Sequence, residues 1–197
     1  MIADERFRPD VVQQRAEFQC EVAALAPADQ VVVDESGVTT SLTRLYGRAP
    51  KGKRVVDRVP GGRWETLTVL GALTPNGILA AMTVPSATDG EVFRAYVNEV
   101  LVPALRPGQV VIMDNLGAHK VAGVREAIEA AGCRLLYLPP YSPDLSPIEP
   151  AWSKMKARLR AAKHRTCDAL ERGVGAALAA ISPQDARGFF KSCRDAV

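Results

Sequence analysis

Apolar residues fall along this chain in blocks whose spacing changes from one stretch to the next. Between about Pro9 and Ala26, Val11, Val12, Phe18, Val22 and Leu25 stand among charges, the spacing of a short helix packed on a domain or of a linker. Val31, Val32 and Val33 then form a continuous β-branched run followed at once by Asp34, which predicts a buried strand delivering a carboxylate at its end. Alternation over residues 39–46 (TTSLTRLY) predicts a second strand, and GRAPKGKR after it an exposed loop. Residues 66–73 and 78–84 flank Thr74, Pro75, Asn76 and Gly77. That is a hairpin signal, because Pro presets one turn dihedral and Asn-Gly tolerates positive φ.

From Val31 onward, helical spacing appears only after these strands. Thr88 and Glu91 have capping-box spacing, and Val92, Phe93, Tyr96, Val97, Val100 and Leu101 recur at helical intervals as far as Pro103. Val110–Met113 is a second apolar run ending in a carboxylate, Asp114, and it leads through Asn115, Leu116 and Gly117 into a helix that stops near Gly132. A strand over Arg134–Leu138 ends at Pro139 and Pro140. After the loop PPYSPDLSP, a helix is expected from Pro147, with Ser146 as N-cap, Glu149 in the first turn and Ile148, Trp152, Met155 and Leu159 facing inward. Two further helices are expected over 167–181 and 183–194. This order predicts an α/β fold, a mixed five-stranded sheet flanked by helices, and it is the order of a ribonuclease H-like domain. The expected divisions are a linker or N-terminal helix over 1–30, a core over 31–165 and C-terminal helices packed on that core over 166–197.

Length and composition narrow the class. At 197 residues the chain is one domain with modest extensions, and its 47% hydrophobic and 24% charged residues exclude a disordered or fibrous chain. No stretch approaches the roughly 18 consecutive apolar residues of a membrane span, and the charged opening MIADERFRPD is not a secretory signal, so the expected address is cytoplasmic. The four cysteines, Cys20, Cys133, Cys167 and Cys193, lie far apart without a zinc or redox spacing and read as reduced, mostly buried thiols. The net charge of +3 is too small to announce a polyanion partner, but its distribution is uneven. Arg44, Arg48, Lys51, Lys53, Arg54, Arg58 and Arg63 are opposed only by Asp57, and Lys154, Lys156, Arg158, Arg160, Lys163 and Arg165 follow Glu149 without an intervening acid. One such block is as readily a solvated face as a nucleic-acid contact; two favour the contact.

The candidate chemistry lies in three acids. Asp34 and Asp114 each follow an apolar strand, at the sheet ends where α/β proteins place their chemistry, and Glu149 opens a helix after the last strand. If the three converge, each pair at ~4 Å and an effective dielectric of ~20 repels by about 4 kcal/mol, which a divalent cation relieves. Oxygen ligands without accompanying His or Cys favour Mg²⁺ or Mn²⁺ over zinc, and two such ions suit an in-line phosphoryl displacement. Local roles account for each acid singly: Glu149 as the capping-box partner of Ser146, Asp114 as a strand end or cap, Asp34 paired with a neighbouring Arg.

The stretches VVVDES, VVIMDNLGAHK and LLYLPPYSPDLSPIEPAWSKMKARLR resemble the three blocks of DDE transposases of the insertion-sequence 630 family, the bacterial branch of the Tc/mariner superfamily. In that branch, as here, 34 residues lie between the second and third acids, and the string Pro-Tyr-Ser-Pro-Asp-Leu-x-Pro-Ile-Glu carries the specificity of the match. The resemblance runs from about Pro9 to the C-terminus. It implies a ribonuclease H-like catalytic domain in which Asp34, Asp114 and Glu149 are catalytic and hold Mg²⁺ or Mn²⁺, two ions in all, with Glu149 completing the second site. It further implies cleavage of transposon ends by hydrolysis, joining of the 3′-hydroxyls to target DNA at TA dinucleotides, and a homodimer. Asn115 and His119 would lie near the site, His119 in a hydrogen-bonding role. Lys51, Lys53, Arg54, Lys156, Arg160 and Lys163 are the expected DNA contacts, and Tyr141 either stacks on DNA or packs into its loop.

Two departures qualify the resemblance. Ser146 stands where the family more often has Asn, and either residue caps a helix. Members usually carry N-terminal helix-turn-helix domains, for which the roughly 30 residues before Val31 are too few. The expectation is therefore a fragment, the second frame of a split gene with the helix-turn-helix segment upstream, or a remnant. An inactive remnant that binds DNA or a full-length transposase as a regulator is the alternative function; intact Asp34, Asp114 and Glu149 favour the enzyme.

Overall fold

The structure, a computed structural model, describes residues 3–85 and 87–195; Met1, Ile2, Ser86, Ala196 and Val197 lie outside them, as do the outer ends of the segments expected over 1–30 and 166–197. The strands are Gln30–Thr39 (β1), Thr66–Thr74 (β2), Gly77–Val84 (β3), Val110–Met113 (β4) and Arg134–Tyr137 (β5). They form one mixed sheet in the order β3-β2-β1-β4-β5, antiparallel from β1 to β3 and parallel from β1 to β5. The helices are Pro9–Ala23 (α1), Gly90–Tyr96 (α2), Val124–Ala130 (α3), Ile148–Ala162 (α4), Cys167–Ala179 (α5) and Pro183–Arg194 (α6).

Because side chains alternate along a strand, the valine run of β1 feeds both faces of the sheet. Val31 and Val33 join Phe93, Tyr96 and Val124 in the cluster beneath α2 and α3. Val32 joins Trp152, Met155 and Leu170 in the cluster beneath α4 and α5, to which α1 and α6 add Phe18 and Phe190. A strand buried on both faces needs a continuous apolar run, which is what the triple valine supplies.

Several sequence expectations are corrected. Residues 40–65 form neither helix nor strand: β1 itself runs to Thr39, Leu42 N–H turns back to the Thr39 carbonyl at 3.2 Å, and Leu45 and Tyr46 are 73% and 90% exposed. Beyond Thr40, whose N–H still bonds the Glu65 carbonyl at 3.0 Å, the alternating residues have no strand beside them to pair with. Asp89 rather than Thr88 caps α2, its Oδ1 accepting from Glu91 N–H at 3.0 Å and Val92 N–H at 2.9 Å. The helix expected after Asp114 is split into a 3-10 turn, Gly117–Lys120, and α3, because Gly123 adopts φ 93° between them and gives its N–H to Glu126 Oε2 at 2.9 Å. The turn of the hairpin is confined to Pro75 and Asn76, with Gly77 already paired to Thr74. Of the four free cysteines only Cys133 is buried, and Cys20 is exposed.

One ion-pair cluster fixes α1 to the loop ahead of α4. Arg15 is 8% exposed, and its guanidinium donates to Asp144 Oδ1 at 3.1 Å, to Asp144 Oδ2 at 2.8 Å and to Ser142 Oγ at 2.7 Å. Arg6 adds a fourth bond to Asp144 Oδ2 at 2.8 Å. Burial disfavours the Asp144 carboxylate, but Arg15 and Arg6 outweigh it and hold its pKa below the usual range. The clasp therefore contributes fully above about pH 4, the ordinary carboxylate value, and is lost as pH falls through the depressed folded value. Arg15→Ala should cost about 2 kcal/mol at pH 7, the scale of breaking a largely buried, charge-assisted pair. Denaturant unfolding across pH should show that gap between parent and variant narrowing in acid; a gap unchanged from pH 7 to pH 3 would mean that Arg15 acts by packing alone.

Candidate active site

The site is built where the parallel part of the sheet runs out. Val33 and Met113 are the last paired residues of β1 and β4, so Asp34 and Asp114 follow them side by side. Asp34 is not at the end of its strand, as the sequence predicts; β1 continues and Asp34 pairs with Gly71 of β2. What ends there is β4. Asp114 Oδ1 accepts from Leu116 N–H at 3.1 Å, which turns the chain away from the sheet. Beyond β5 the loop of residues 138–147 reaches α4, whose first turn carries Glu149.

Asp34, Asp114 and Glu149 line one pocket of about 380 Å³, together with Asn115, Leu116, Tyr141, Ser142, Ser146 and prolines and apolar residues of the loop and strand ends. Among the described residues, no Lys or Arg lines it. Ser146 does not cap α4 through its side chain; its carbonyl accepts from Glu149 N–H at 3.2 Å, and the reciprocal capping box expected of Ser146 and Glu149 is not formed. Glu149 is exposed at the pocket rather than folded back on its own helix end. Tyr141 stands at the pocket wall with φ 55° and 46% exposure, so it is not a packed loop aromatic.

Asp34 feels the other two carboxylates. Burial pushes Asp34 up to about 6; the Glu35 N–H and the Trp152 indole pull against that rise, while the charges of Glu149 and Asp114 add to it. Asp114 moves the other way. Burial disfavours its charge, yet His119 and the Leu116 N–H hold it below its usual value. His119 is 1% exposed, stacks at 4.2 Å on Phe93, presses Nδ1 against Asp114 Oδ1 and sets Nε2 at 3.4 Å from Glu35 Oε1. The Nδ1 contact is an ion pair without the alignment of a hydrogen bond. Burial works against the imidazolium, but the two carboxylates outweigh it and raise His119 to about 9. The two carboxylates thus favour the charged form of the buried His119 imidazole beneath Asp114.

A hard divalent cation fits this donor set: three carboxylates on one pocket, two of them half-buried, and no basic side chain on its wall. Among the described residues, no three His, Cys, Asp or Glu side chains are drawn in tightly enough to enclose an ion as they stand. Asn115 is exposed at the pocket edge.

None of the six expected DNA-contacting residues lines the pocket. Lys51, Lys53 and Arg54 are exposed on the irregular arm of residues 40–65. Lys163 ends α4 with φ 55° and is engaged with Asp57 of that arm, its Nζ 2.6 Å from Oδ2, while Arg165 donates to the Thr40 and Leu42 carbonyls at 2.9 and 3.0 Å. Lys154 pairs with Asp185 of α6. Part of the second basic block is therefore structural. Lys156 and Arg160 lie half-buried farther along the α4 face that bears Glu149.

Sequence reasoning missed four residues: Arg15, Glu35, Gly71 and the polar role of Trp152. Trp152 was expected only in the core, and it is 2% exposed, but its indole also donates to Asp34 Oδ2 at 2.9 Å. Gly71 had a visible signal, since a lone glycine inside the apolar strand TLTVLGAL marks a close approach. Arg15 and Glu35 had none, because their partners are distant in the chain.

Comparison with solved structures places the same fold in transposases. The Mos1 transposase paired-end complex with left transposon end superposes with a TM-score of 0.78 at 15% identity, over 99% of this chain and 62% of that one. The catalytic domain of Mos1 mariner transposase gives 0.68 at 14% identity, over 99% and 92%. The Mos1 mariner paired-end complex with Mn gives 0.71 at 15% identity, over 99% and 61%. This chain spans about three-fifths of the length of the Mos1 chain in the paired-end complexes. At such identities the likeness establishes the fold, a ribonuclease H-like one. No curated protein matches the chain. Residues 29–171, which carry all three acids and the whole sheet, match the family described as DDE superfamily endonuclease, and the chain belongs to that family.

Proposed function

We propose that this chain is the catalytic domain of a DNA transposase of the insertion-sequence 630 type, which cuts transposon ends and joins the freed 3′-hydroxyls to target DNA. The observation that carries the reading is the convergence of Asp34, Asp114 and Glu149 on one pocket that no Lys or Arg lines. Membership of the DDE endonucleases supports it, as does a fold shared with transposases solved on transposon ends and with Mg or Mn. Asp34 and Asp114 would hold Mg²⁺ or Mn²⁺ most directly, and Glu149 would complete a second site. What such ions supply when bound is activation of a water or 3′-hydroxyl and charge stabilisation at the leaving oxygen.

The chain's own residues divide the remaining work. His119, a cation wedged between Asp114 and Glu35, holds Asp114 ionised and fixed, and it stays out of the proton transfers because it is buried. Lys156 and Arg160, on the Glu149 side of α4, would grip the backbone of the strand being cut; Lys51, Lys53 and Arg54 on the arm would hold flanking DNA, with Lys163 anchoring that arm through Asp57. A homodimer and an upstream helix-turn-helix segment that selects the terminal repeats complete the proposed assembly.

Three experiments test this reading. Glu149→Gln keeps size and removes charge; since Glu149 is exposed and makes no capping bond, the variant should lose nicking of terminal-repeat DNA while losing less than about 1 kcal/mol of stability. A variant that cuts like the parent would remove Glu149 from the site. The second concerns protons and metal. With its pKa raised to about 6, Asp34 is protonated below that value, and a metal must displace the proton. Calorimetric titration with Mn²⁺ should find affinity flat above pH 7 and falling by up to about tenfold per pH unit below 6. No binding at millimolar Mn²⁺ would sink the metal reading; binding whose affinity is independent of pH from 5 to 8 would mean that no Asp34 proton has to leave for the metal to enter. Third, replacing Lys156 and Arg160 together with Ala should weaken all duplexes about equally and flatten the log-affinity against log-salt slope by about 0.9 per lost phosphate contact. An unchanged slope would take this face of α4 off the DNA.

A further inference from the structure

We infer that Trp152, seated on Gly71, is a positioning residue that orients the Asp34 carboxylate for cation binding; the inference rests on the metal reading above. The contact is specific. Indole Nε1 lies 2.9 Å from Asp34 Oδ2, and the ring is otherwise packed in the core at 2% exposure. Gly71 is the residue that faces Asp34 directly across the β1–β2 ladder. A Cβ at position 71 would stand 2.6 Å from Cη2 and 3.3 Å from Cζ2 of Trp152, so the ring occupies the space a side chain would fill. The missing side chain is what lets the indole reach across the strand to the carboxylate.

An indole suits this task for three chemical reasons. It is a donor only, so it cannot compete for the cation as a ligand. It carries no charge, so it orients Asp34 without cancelling the negative charge that attracts a cation. It does not titrate, so the bond persists wherever Asp34 is ionised. Trp152 also lies three residues after Glu149, nearly one helical turn along α4. The helix that presents the third carboxylate thus also holds the first, and the two cannot shift independently. An ionised carboxylate has about four lone-pair sites; committing one to the indole fixes the directions of the rest.

Trp152→Phe keeps most of the ring volume and removes the N–H, and Gly71→Ala keeps the N–H and removes its seat. Both should weaken Mn²⁺ binding by tenfold or more in calorimetry, as loss of a group that orients a ligand typically does, with the far-ultraviolet circular dichroism of the parent retained. A Trp152→Phe variant that binds Mn²⁺ as tightly as the parent would reduce Trp152 to a packing residue and overturn the inference. A direct readout on the intact chain guards against misfolded variants. There are two tryptophans, and Trp64, on the arm, is 59% exposed. In nitrogen-15 spectra, Mg²⁺ should shift the indole N–H resonance of Trp152 and leave that of Trp64 in place; both unmoved at saturating Mg²⁺ would equally overturn it. Should the parent bind neither metal, the metal reading itself fails, and metal-free spectra then decide the contact: Asp34→Asn should move the Trp152 indole resonance, and an unmoved one would show that the bond does not form.

Discussion

The parallel pairing of β1 with β4 ends at Val33 and Met113, and this single registration organises the rest of the molecule. One strand stops while its neighbour continues, so the sheet acquires a notch whose two sides are Asp34 and Asp114. The register is pinned by burial. Moving β1 by one residue would turn Val31 and Val33 out of the α2–α3 cluster and carry Asp34 to the face now held by Glu35. The loop that leaves β5 inherits the same end of the sheet, and α4 completes the enclosure with Glu149.

Charge is distributed around this notch unevenly. Asp144, at the far side of the loop, is held by Arg15 and Arg6; Asp114 has the buried imidazolium of His119 beneath it. Asp34 has a neutral donor, and no Lys or Arg lines the pocket into which it and Glu149 face. The two treatments have opposite electrostatic results, since Asp114 and Asp144 are held below the usual carboxylate range while Asp34 is pushed above it. Asp144, in the scaffold, and Asp114, on the pocket wall, each have a cationic partner beside them. Asp34 has none, and the charges of Glu149 and Asp114 act on it with a repulsion that only something entering from outside can relieve.

Periodicity and end signals made most of the scaffold legible. The valine run, the Pro-Asn-Gly hairpin and the apolar stripe of α4 each state their element through short-range sequence, and Asp114 and Glu149 were marked by their places at element ends, whereas Asp34 follows the valine run within a strand that continues to Thr39. Where reading failed, the deciding partner lay far away in the chain. The alternating residues 39–46 look like a strand of their own, but Thr39 closes β1 opposite Thr66 and no strand lies beside the residues after Thr40. Ser146 and Glu149 have capping spacing, yet the loop presents Glu149 to the pocket instead. Arg15 reads as one more helix-surface cation, and only the fold brings Asp144 to it across 129 residues. The basic blocks were visible as charge, but Lys154 and Lys163 could be recognised as structural only once Asp185 and Asp57 were placed beside them.

Gly71 sets local preference against the site. Glycine inside a strand is unfavourable by roughly 0.5–1 kcal/mol relative to Ala, so a redesign aimed at thermostability would choose this position early and install a β-branched residue. Any such replacement places a Cβ within 2.6 Å of the Trp152 ring. Since that ring is wedged among buried residues of α4 and α5, relief would come from displacing it or from parting β2 from β1 beside Asp34. Stabilisation of this chain by strand propensity would therefore have to exempt one strand position that, judged by propensity alone, is the weakest in its strand.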